Sequence, residues 1–188
     1  MINIQIVVGS TRPGRLAKDI STWLMSQIDD YKDVKFELVD IADFDLPLLD
    51  EPIPAGSKQY SQKHTRRWAE KIGQADGFVF VTPEYNHGTS AALKNAIDFL
   101  YHEWKYKPVA FLGYGSIGGV RAIEQLIGVT VAVNMFPLRD SVHIFEPWVA
   151  FDDQGNVKPE LLKGSIKTMI DPILQVAIAT KQLRTELN

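Results

Sequence analysis

The chain has 188 residues, of which 45% are apolar and 23% charged, and its formal net charge is −3. This length predicts a single domain over residues 1–188 with a sizeable core, and the weak charge gives no reason to expect nucleic acid or an anionic membrane as a partner. The absence of cysteine excludes disulfides, thiol nucleophiles, iron–sulfur clusters and zinc–thiolate sites. We expect no signal peptide and no membrane span, and therefore a cytoplasmic protein.

The first element is an apolar strand that runs into a small, basic turn. Residues 3–8 are almost continuously apolar and β-branched, which predicts a strand buried on both faces. Gly9 permits a sharp turn, and Pro13 is expected in the first turn of the following helix. Two hydroxyls and two guanidiniums surround this helix N-terminus: Ser10, Thr11, Arg12 and Arg15. Together with the free helix amides they predict a phosphate-binding loop.

This loop differs from two familiar phosphate-binding motifs. Its glycine spacing fits a P-loop, but Arg15 stands in the lysine position and Leu16 in the position of the Ser or Thr that holds magnesium. The dinucleotide fingerprint G-x-G-x-x-G is absent from this turn. The G-x-G-x-x-G pattern does occur at residues 113–118, and Asp140 follows near the spacing of a ribose-binding acid. However, this pattern comes after the fourth strand, whereas the fingerprint belongs after the first. We therefore interpret the later glycines as a loop that closes over a ligand.

The rest of the chain alternates between strands and helices. Further strands are predicted at residues 35–41, 77–82, 108–114 and 141–145. Further helices are predicted at residues 57–75 and directly after a cap at Thr89 or Ser90. Another follows the glycine-rich residues 115–119 and reaches about residue 133, and the last runs from 159 to about 187 with a bend at Pro172. This alternation predicts an α/β protein, a flavodoxin-like three-layer α/β/α sandwich with a five-stranded parallel sheet of order 2-1-3-4-5.

A second candidate loop, residues 83–88, follows the third strand. In the predicted topology the first and third strands are neighbours, so this loop should meet the phosphate loop at the carboxyl edge of the sheet. Tyr85 offers an aromatic face, Asn86 a side-chain amide, and the turn its backbone N–H groups, all of which suit a planar heteroaromatic ligand. His64, His87, His102 and His143 are too dispersed to form a metal site, and we predict neither a metal nor a catalytic side chain.

Four segments resemble the NADPH-dependent FMN reductase family, which includes FMN-dependent quinone, azo-dye and chromate reductases. They are residues 9–15, 83–86, 93–98 and 114–119, in the family's order and spacing. The resemblance implies that Ser10, Thr11, Arg12 and Arg15 hold the FMN phosphate. It also implies that Pro83, Glu84, Tyr85 and Asn86 line the isoalloxazine ring, and that Gly115, Ser116 and Gly118 close over it.

The same resemblance implies an enzyme that uses bound FMN for ping-pong hydride transfer. NADPH or NADH would be the electron donor, and a quinone, flavin, azo compound or metal oxyanion the acceptor. A homodimer or homotetramer is expected, with the stripe that ends in Tyr101 and Trp104 belonging either to its interface or to the core. The alternatives are a non-enzymatic flavodoxin-like electron carrier and a receiver-type signalling domain. The basic loop and the modest net charge disfavour the carrier, and Gly9-Ser10-Thr11 lacks a receiver's paired carboxylates.

Overall fold

The computed structural model describes residues 1–186 and contains a mixed sheet flanked by five helices. The strands are β1 (Ile2–Val8), β2 (Val34–Asp40), β3 (Gly77–Pro83), β4 (Pro108–Gly115), β5 (Phe136–Phe145) and β6 (Leu162–Lys163). The helices are α1 (Ala17–Gln27), α2 (Lys63–Gly73), α3 (Ala91–Asp98), α4 (Val120–Ala132) and α5 (Ile166–Glu186). The predicted end of the last helix at residue 187 lies outside the described residues.

The strand order is β2-β1-β3-β4-β5-β6, and the first five strands are parallel. The predicted flavodoxin-like order 2-1-3-4-5 is therefore confirmed. The strand count of five was wrong, because β6 pairs antiparallel with β5 through Ile144–Leu162 and His143–Lys163. Two residues are too few to show a strand's alternating pattern. We had predicted this segment as the start of the last helix, which begins only at Ile166.

The parallel strands are buried on both faces, which explains their continuous apolar sequence. In β1, Ile4, Ile6 and Val8 pack with α1 and α5 on one side of the sheet. Val7 faces the other side, where it joins the core formed with α2, α3 and α4. Trp104 is fully buried in this second core, so at this position the stripe packs inside the subunit.

The loop after β1 is longer than predicted, because Pro13 lies in a turn and not in the first turn of α1. The carbonyl of Arg12 accepts a hydrogen bond from the Arg15 N–H at 3.1 Å, and Gly14 has φ +69°. Proline at the second position and a positive-φ glycine at the third are typical of a type II turn. Because Gly14 is left-handed, the helix cannot start at Pro13, and α1 begins at Ala17.

Several other element boundaries also moved. Ser90 is the cap of α3, since its Oγ accepts a hydrogen bond from the Leu93 N–H at 3.0 Å. The helix expected from residue 57 begins at Lys63, after Lys58 at φ +54° ends a short 3-10 turn. Strand β5 begins five residues earlier than predicted, at Phe136. The carboxyl ends of β1, β3 and β4 nevertheless lie within one residue of their predicted positions.

Candidate functional site

The loops after β1, β3 and β4 meet at the carboxyl edge of the sheet. Ser10 Oγ and Tyr85 Oη lie 3.1 Å apart, within hydrogen-bonding distance, and connect the first two loops. The Glu84 N–H donates to the Tyr114 carbonyl at 3.1 Å and connects the second loop to β4. The predicted meeting of the first two loops is therefore present. It lies at the switch point where ligands bind in open α/β sheets.

The phosphate loop is held closely against β3. The Gly9 N–H donates to the Val81 carbonyl at 2.9 Å, and a Cβ at Gly9 would lie only 2.5 Å from that oxygen. Only glycine allows this approach. Ser10 is fully buried behind the loop, whereas Thr11 and Arg12 are exposed. The Arg12 N–H points back to Ser10 Oγ at 3.4 Å, so the Arg12 side chain extends from an anchored backbone.

The two arginines of this loop have different surroundings. Arg15 Nη2 lies 2.5 Å from Oδ2 of Asp40, the last residue of β2, and the Asp40 side chain is 5% exposed. The other carboxylate oxygen of Asp40 accepts the Ala42 N–H at 3.0 Å. Arg15 Nε is buried without a hydrogen-bond partner in the part of the chain that the structure covers. Arg15 Nη2 is therefore paired with Asp40, whereas the Arg15 Nε–H is a free donor that an anion would satisfy.

Residues Tyr85–Gly88 form a tight two-residue turn. Tyr85 and Gly88 exchange both backbone hydrogen bonds, at 2.9 and 3.0 Å, and the central residues Asn86 and His87 have φ of +51° and +69°. Two positive φ values between such a pair are typical of a type I′ turn. Within residues 1–186 the structure gives the Asn86 and His87 N–H groups no acceptor, so these two amides are available to a ligand.

Glu84 differs from its neighbours because its backbone N–H and its carboxylate both have hydrogen-bond partners within the protein. Its N–H donates to the Tyr114 carbonyl. Its carboxylate accepts hydrogen bonds from Arg121 Nε at 2.6 Å and from the Arg121 backbone N–H at 3.1 Å. The Glu84 side chain is 6% exposed. Its side chain therefore anchors the turn to the start of α4, which leaves Glu84 with a structural contact and not a free carboxylate.

Tyr114 lies beside the candidate site, although the sequence analysis assigned it no role there. It lies opposite Pro83 in the sheet register, and its hydroxyl is buried without a hydrogen-bond partner among residues 1–186. Burial raises the pKa of Tyr114, as does the nearby Tyr85, whereas Ser10 and the two loop arginines lower it. The hydroxyl thus stays protonated and can donate to a ligand. Its position at the end of a strand next to β3 was the signal available in the sequence.

The glycine-rich loop after β4 is folded by its own backbone. The Gly115 carbonyl accepts hydrogen bonds from the N–H groups of Gly118 and Glu146, at 3.0 and 3.1 Å. Gly118 is buried, and a Cβ there would lie 2.8 Å from the ring of Phe145. Ser116 is exposed. Of the three predicted residues, Gly115 is half-buried and Ser116 exposed, and the buried Gly118 shapes the loop beneath them.

One cavity of the protein lies beside this site, and another lies far from it. A cavity of ≈ 300 Å³ borders the phosphate loop and is lined by Thr11, Ala42, Leu46 and Asn95, among others. A second cavity, of ≈ 500 Å³, is lined by Lys107 at the start of β4 and by Gly73 at the end of α2, among others. It therefore opens at the amino edge of the parallel strands. We locate the site by the three converging loops, since the carboxyl edge is where this topology binds ligands.

The donors around the three loops fit a flavin mononucleotide. An exposed guanidinium, two hydroxyls and the unsatisfied Arg15 Nε suit a phosphate. An aromatic ring, two available turn amides and the unpartnered Tyr114 hydroxyl suit a planar ring with polar edges. A flavodoxin-like sheet with these loops defines a class of FMN-binding flavoproteins.

The comparison with known proteins narrows this class to one family. Residues 2–148 match the NADPH-dependent FMN reductase family, and the chain belongs to it. An NAD(P)H-dependent FMN reductase of Schizosaccharomyces pombe is 46% identical over 134 residues, which cover 70% of this chain and 67% of the relative. The chain thus spans about two thirds of that relative's length.

Two further proteins extend the comparison over almost the whole chain. A 2-hydroxy-1,4-benzoquinone reductase of a Burkholderia species is 29% identical over 178 residues, which cover 90% of this chain and 93% of the relative. The solved structure of FerB, a flavoenzyme NAD(P)H:(acceptor) oxidoreductase of Paracoccus denitrificans, superposes with a TM-score of 0.70 at 22% identity. That superposition covers 97% of this chain and 98% of FerB, and it confirms the flavodoxin-like fold.

These comparisons confirm the family inferred from the sequence motifs. The family is one of NADPH-dependent FMN reductases, and the two relatives are named as an NAD(P)H-dependent FMN reductase and a quinone reductase, which favours the enzyme over the non-enzymatic carrier. Within residues 1–186, no helix is long and apolar enough to cross a membrane. The same residues contain no cluster of three side chains able to hold a metal ion.

Proposed function

We propose that this chain is a single-domain, FMN-dependent NAD(P)H oxidoreductase that passes two electrons to a small-molecule acceptor. The observation that carries the proposal is the contact between the Ser10 and Tyr85 hydroxyls, which joins the phosphate loop to the turn of residues 85–88. The unsatisfied donors of Arg15 and Tyr114 beside this junction suit a ligand with a phosphate at one end and a planar ring at the other. Family membership supports the identity of that ligand.

The proposed roles of the residues follow from their positions. Arg12 and Arg15 bind the phosphate with charged donors, and Ser10 and Thr11 assist with hydroxyl groups. Pro83, Tyr85 and Asn86 line the ring, and the free backbone N–H groups of Asn86 and His87 donate to it. Tyr114 adds its hydroxyl, and Glu84 holds the turn in place. Gly115 and Ser116 cover the ring from the β4 side, on a loop that Gly118 shapes.

When bound, FMN supplies the hydride chemistry, because its ring can both accept and donate a hydride. The protein's residues bind it, orient one face toward solvent, and leave room for two substrates in turn. Such a ping-pong cycle depends on stacking geometry and requires no side-chain acid or base.

The acceptor class that we propose is a quinone, flavin, azo compound or metal oxyanion. A quinone reductase among the relatives supports the first of these. An open site beside exposed Asn86 and Ser116 admits more than one planar acceptor. We also propose that the protein acts in the cytoplasm.

We further propose that the chain forms a homodimer or homotetramer. Val120, Ile127 and Val131 are spaced by seven and four residues, so they share one face of α4, and they are 44%, 38% and 54% exposed. An exposed apolar face of this kind suits a second copy of the chain. Val131→Glu should reduce the mass measured by light scattering if this face is the interface, and an unchanged mass would exclude it.

The function is tested by a visible absorption spectrum of the purified protein before and after NADPH is added under nitrogen. We expect a flavin spectrum that NADPH bleaches and a quinone restores. A bound flavin that neither NADPH nor NADH bleaches would instead identify an electron carrier. Failure to bind added FMN would contradict the proposal altogether.

A further inference from the structure

Helix α4 holds the turn of residues 85–88 by side chains from two successive helical turns. Arg121 Nη1 lies 2.8 Å from His87 Nε2, and Gln125 Nε2 donates to the His87 carbonyl at 2.8 Å. Because positions 121 and 125 are one helical turn apart, both side chains project from the same face of α4. His87 is therefore fixed at its ring and at its backbone, although it is exposed at the tip of the turn.

The contact with Arg121 determines which ring nitrogen of His87 carries the proton. A guanidinium has only N–H donors, so His87 Nε2 must be the acceptor. The proton of the neutral ring then lies on Nδ1. Among residues 1–186 the structure shows no protein acceptor for this Nδ1–H, so it is a donor without a partner. An imidazole whose Nδ1–H has no protein acceptor among residues 1–186 thus lies next to Asn86 in the turn.

We propose that His87 is the hydrogen-bond donor to the oxygen of a carbonyl-type electron acceptor, and that Arg121 is a positioning residue that fixes the required tautomer. This inference rests on the proposed function. With FMN bound, its reduced form would supply the hydride and water the proton that convert a quinone into a hydroquinone, and the cofactor would end in its oxidised form. Negative charge develops on the quinone oxygens during this step, and a positioned N–H stabilises it.

The charge changes of the two half-reactions assign His87 to the acceptor and not to the electron donor. NAD(P)H becomes positively charged on its ring when it loses a hydride, and a neutral N–H donor does not stabilise that charge. A quinone oxygen becomes negative and gains from the same donor. His87 keeps its own proton throughout, because loss of the Nδ1 proton would leave an anionic imidazole.

The experiment compares His87→Gly with His87→Asn in the FMN-loaded protein. Glycine and asparagine both tolerate the left-handed φ of this position, but only asparagine keeps a side-chain N–H. Stopped-flow absorbance under nitrogen measures reduction by NADPH and reoxidation by 1,4-benzoquinone separately. We expect His87→Gly to slow reoxidation by benzoquinone about tenfold or more, with reduction by NADPH changed by less than about twofold. His87→Asn should recover most of the loss.

Two controls separate a hydrogen bond to the acceptor from general damage. Ferricyanide accepts electrons without a carbonyl oxygen, so its reoxidation rate should be the same in His87→Gly and the parent protein. His64 hydrogen-bonds to Asp50 away from the three loops, and His64→Ala should leave every rate unchanged. Equal benzoquinone rates in His87→Gly and the parent, or slowing confined to NADPH, would overturn the inference. A protein that binds no FMN would overturn the proposed function itself.

Arg121→Ala tests the positioning role. Without Arg121 the ring can adopt either tautomer, so we expect benzoquinone reoxidation to slow by less than in His87→Gly. The double variant Arg121→Ala/His87→Gly should be no slower than His87→Gly alone, because Arg121 acts through His87. Additive losses in the double variant would show that Arg121 supports the turn only structurally.

Discussion

Ser10 Oγ and Tyr85 Oη, from loops 75 residues apart in sequence, lie 3.1 Å from each other. Ser10 is fully buried, and Tyr85 is half-buried at the start of its turn. The contact fixes the distance between the part of the site that would bind a phosphate and the part that would bind a ring. A single small cofactor that reaches both parts therefore depends on this hydroxyl pair.

Tyr85→Phe removes one partner of this pair and keeps the ring. We expect FMN affinity to fall about 2- to 10-fold, as the loss of one hydrogen bond predicts. Quenching of flavin fluorescence on titration with protein measures the dissociation constant. Tyr101→Phe is the matched control, because Tyr101 Oη accepts from Asn134 Nδ2 away from the site. A similar loss in both variants would show that the Ser10 contact has no specific role.

Arg12→Ala and Arg15→Ala should have different effects on the protein. Arg12 is exposed, so its loss should weaken FMN binding about 10- to 100-fold, the value of a charged hydrogen bond, without lowering the melting temperature of the cofactor-free protein. Loss of Arg15 leaves the Asp40 carboxylate buried without its cation. We expect it to cost on the order of 2–4 kcal/mol of unfolding free energy. Calorimetry and flavin titration separate the two effects.

The double variant Arg15→Ala/Asp40→Ala is the control for this explanation. It removes both charges of the ion pair, so it should be more stable than Arg15→Ala alone. If Asp40→Ala fails to restore stability, the cost of Arg15→Ala does not come from the unpaired carboxylate. Unchanged FMN affinity in Arg12→Ala would remove Arg12 from the phosphate site.

Gly119→Ala and Gly128→Ala form a second matched pair within one segment. Gly119 has φ +71°, and a Cβ there would lie 2.7 Å from the Tyr114 amide nitrogen, so alanine should cost about 1–3 kcal/mol of unfolding free energy. Gly128 lies inside α4 with open space around its Cβ position, and alanine should add about 0.5–1 kcal/mol. Urea unfolding measures both. Opposite signs are expected, and two losses would contradict the explanation.

Lys107 should make the stability of the protein depend on pH. Burial, and to a smaller extent the charge of Arg184, lower the pKa of Lys107 to about 7, although Asp76 and Glu103 oppose the shift. In the unfolded chain the pKa returns toward 10.5. Between these values the unfolded state binds more protons, so the unfolding free energy rises with pH across this window. Below the window Lys107 is charged in both states and adds no further change.

The Lys107→Met variant should lack this rise. Relative to the variant, the parent protein should gain on the order of 2–3 kcal/mol in unfolding free energy between about pH 6.5 and 9.5. The exposed Lys32 provides the control, since Lys32→Met should keep the parent's pH profile. Urea unfolding at several pH values gives the measurement. A Lys107→Met profile parallel to that of the parent would show that this ammonium does not titrate near neutrality.

The sequence was most informative where the pattern is local. Apolar runs located the three central strands β1, β3 and β4, and the order of strands and helices predicted which loops would meet. Contacts between distant side chains were not predictable, because nothing in the spacing of Arg121 and His87 indicates that they touch. Similarly, Asp40 ends a strand whose pattern says nothing of Arg15. The two residues of β6 carry no periodic signal, and Gly14 alone determines that α1 starts after the turn.

The turn of Arg12–Arg15 has a consequence for the timing of cofactor exchange. It is closed by its own backbone hydrogen bond, and proline restricts its second position before any ligand arrives. Binding therefore does not have to spend conformational entropy on ordering this segment. Association should accordingly proceed without a slow loop-folding phase. Variants that differ in affinity should then differ mainly in how long the cofactor remains, and little in how quickly it enters.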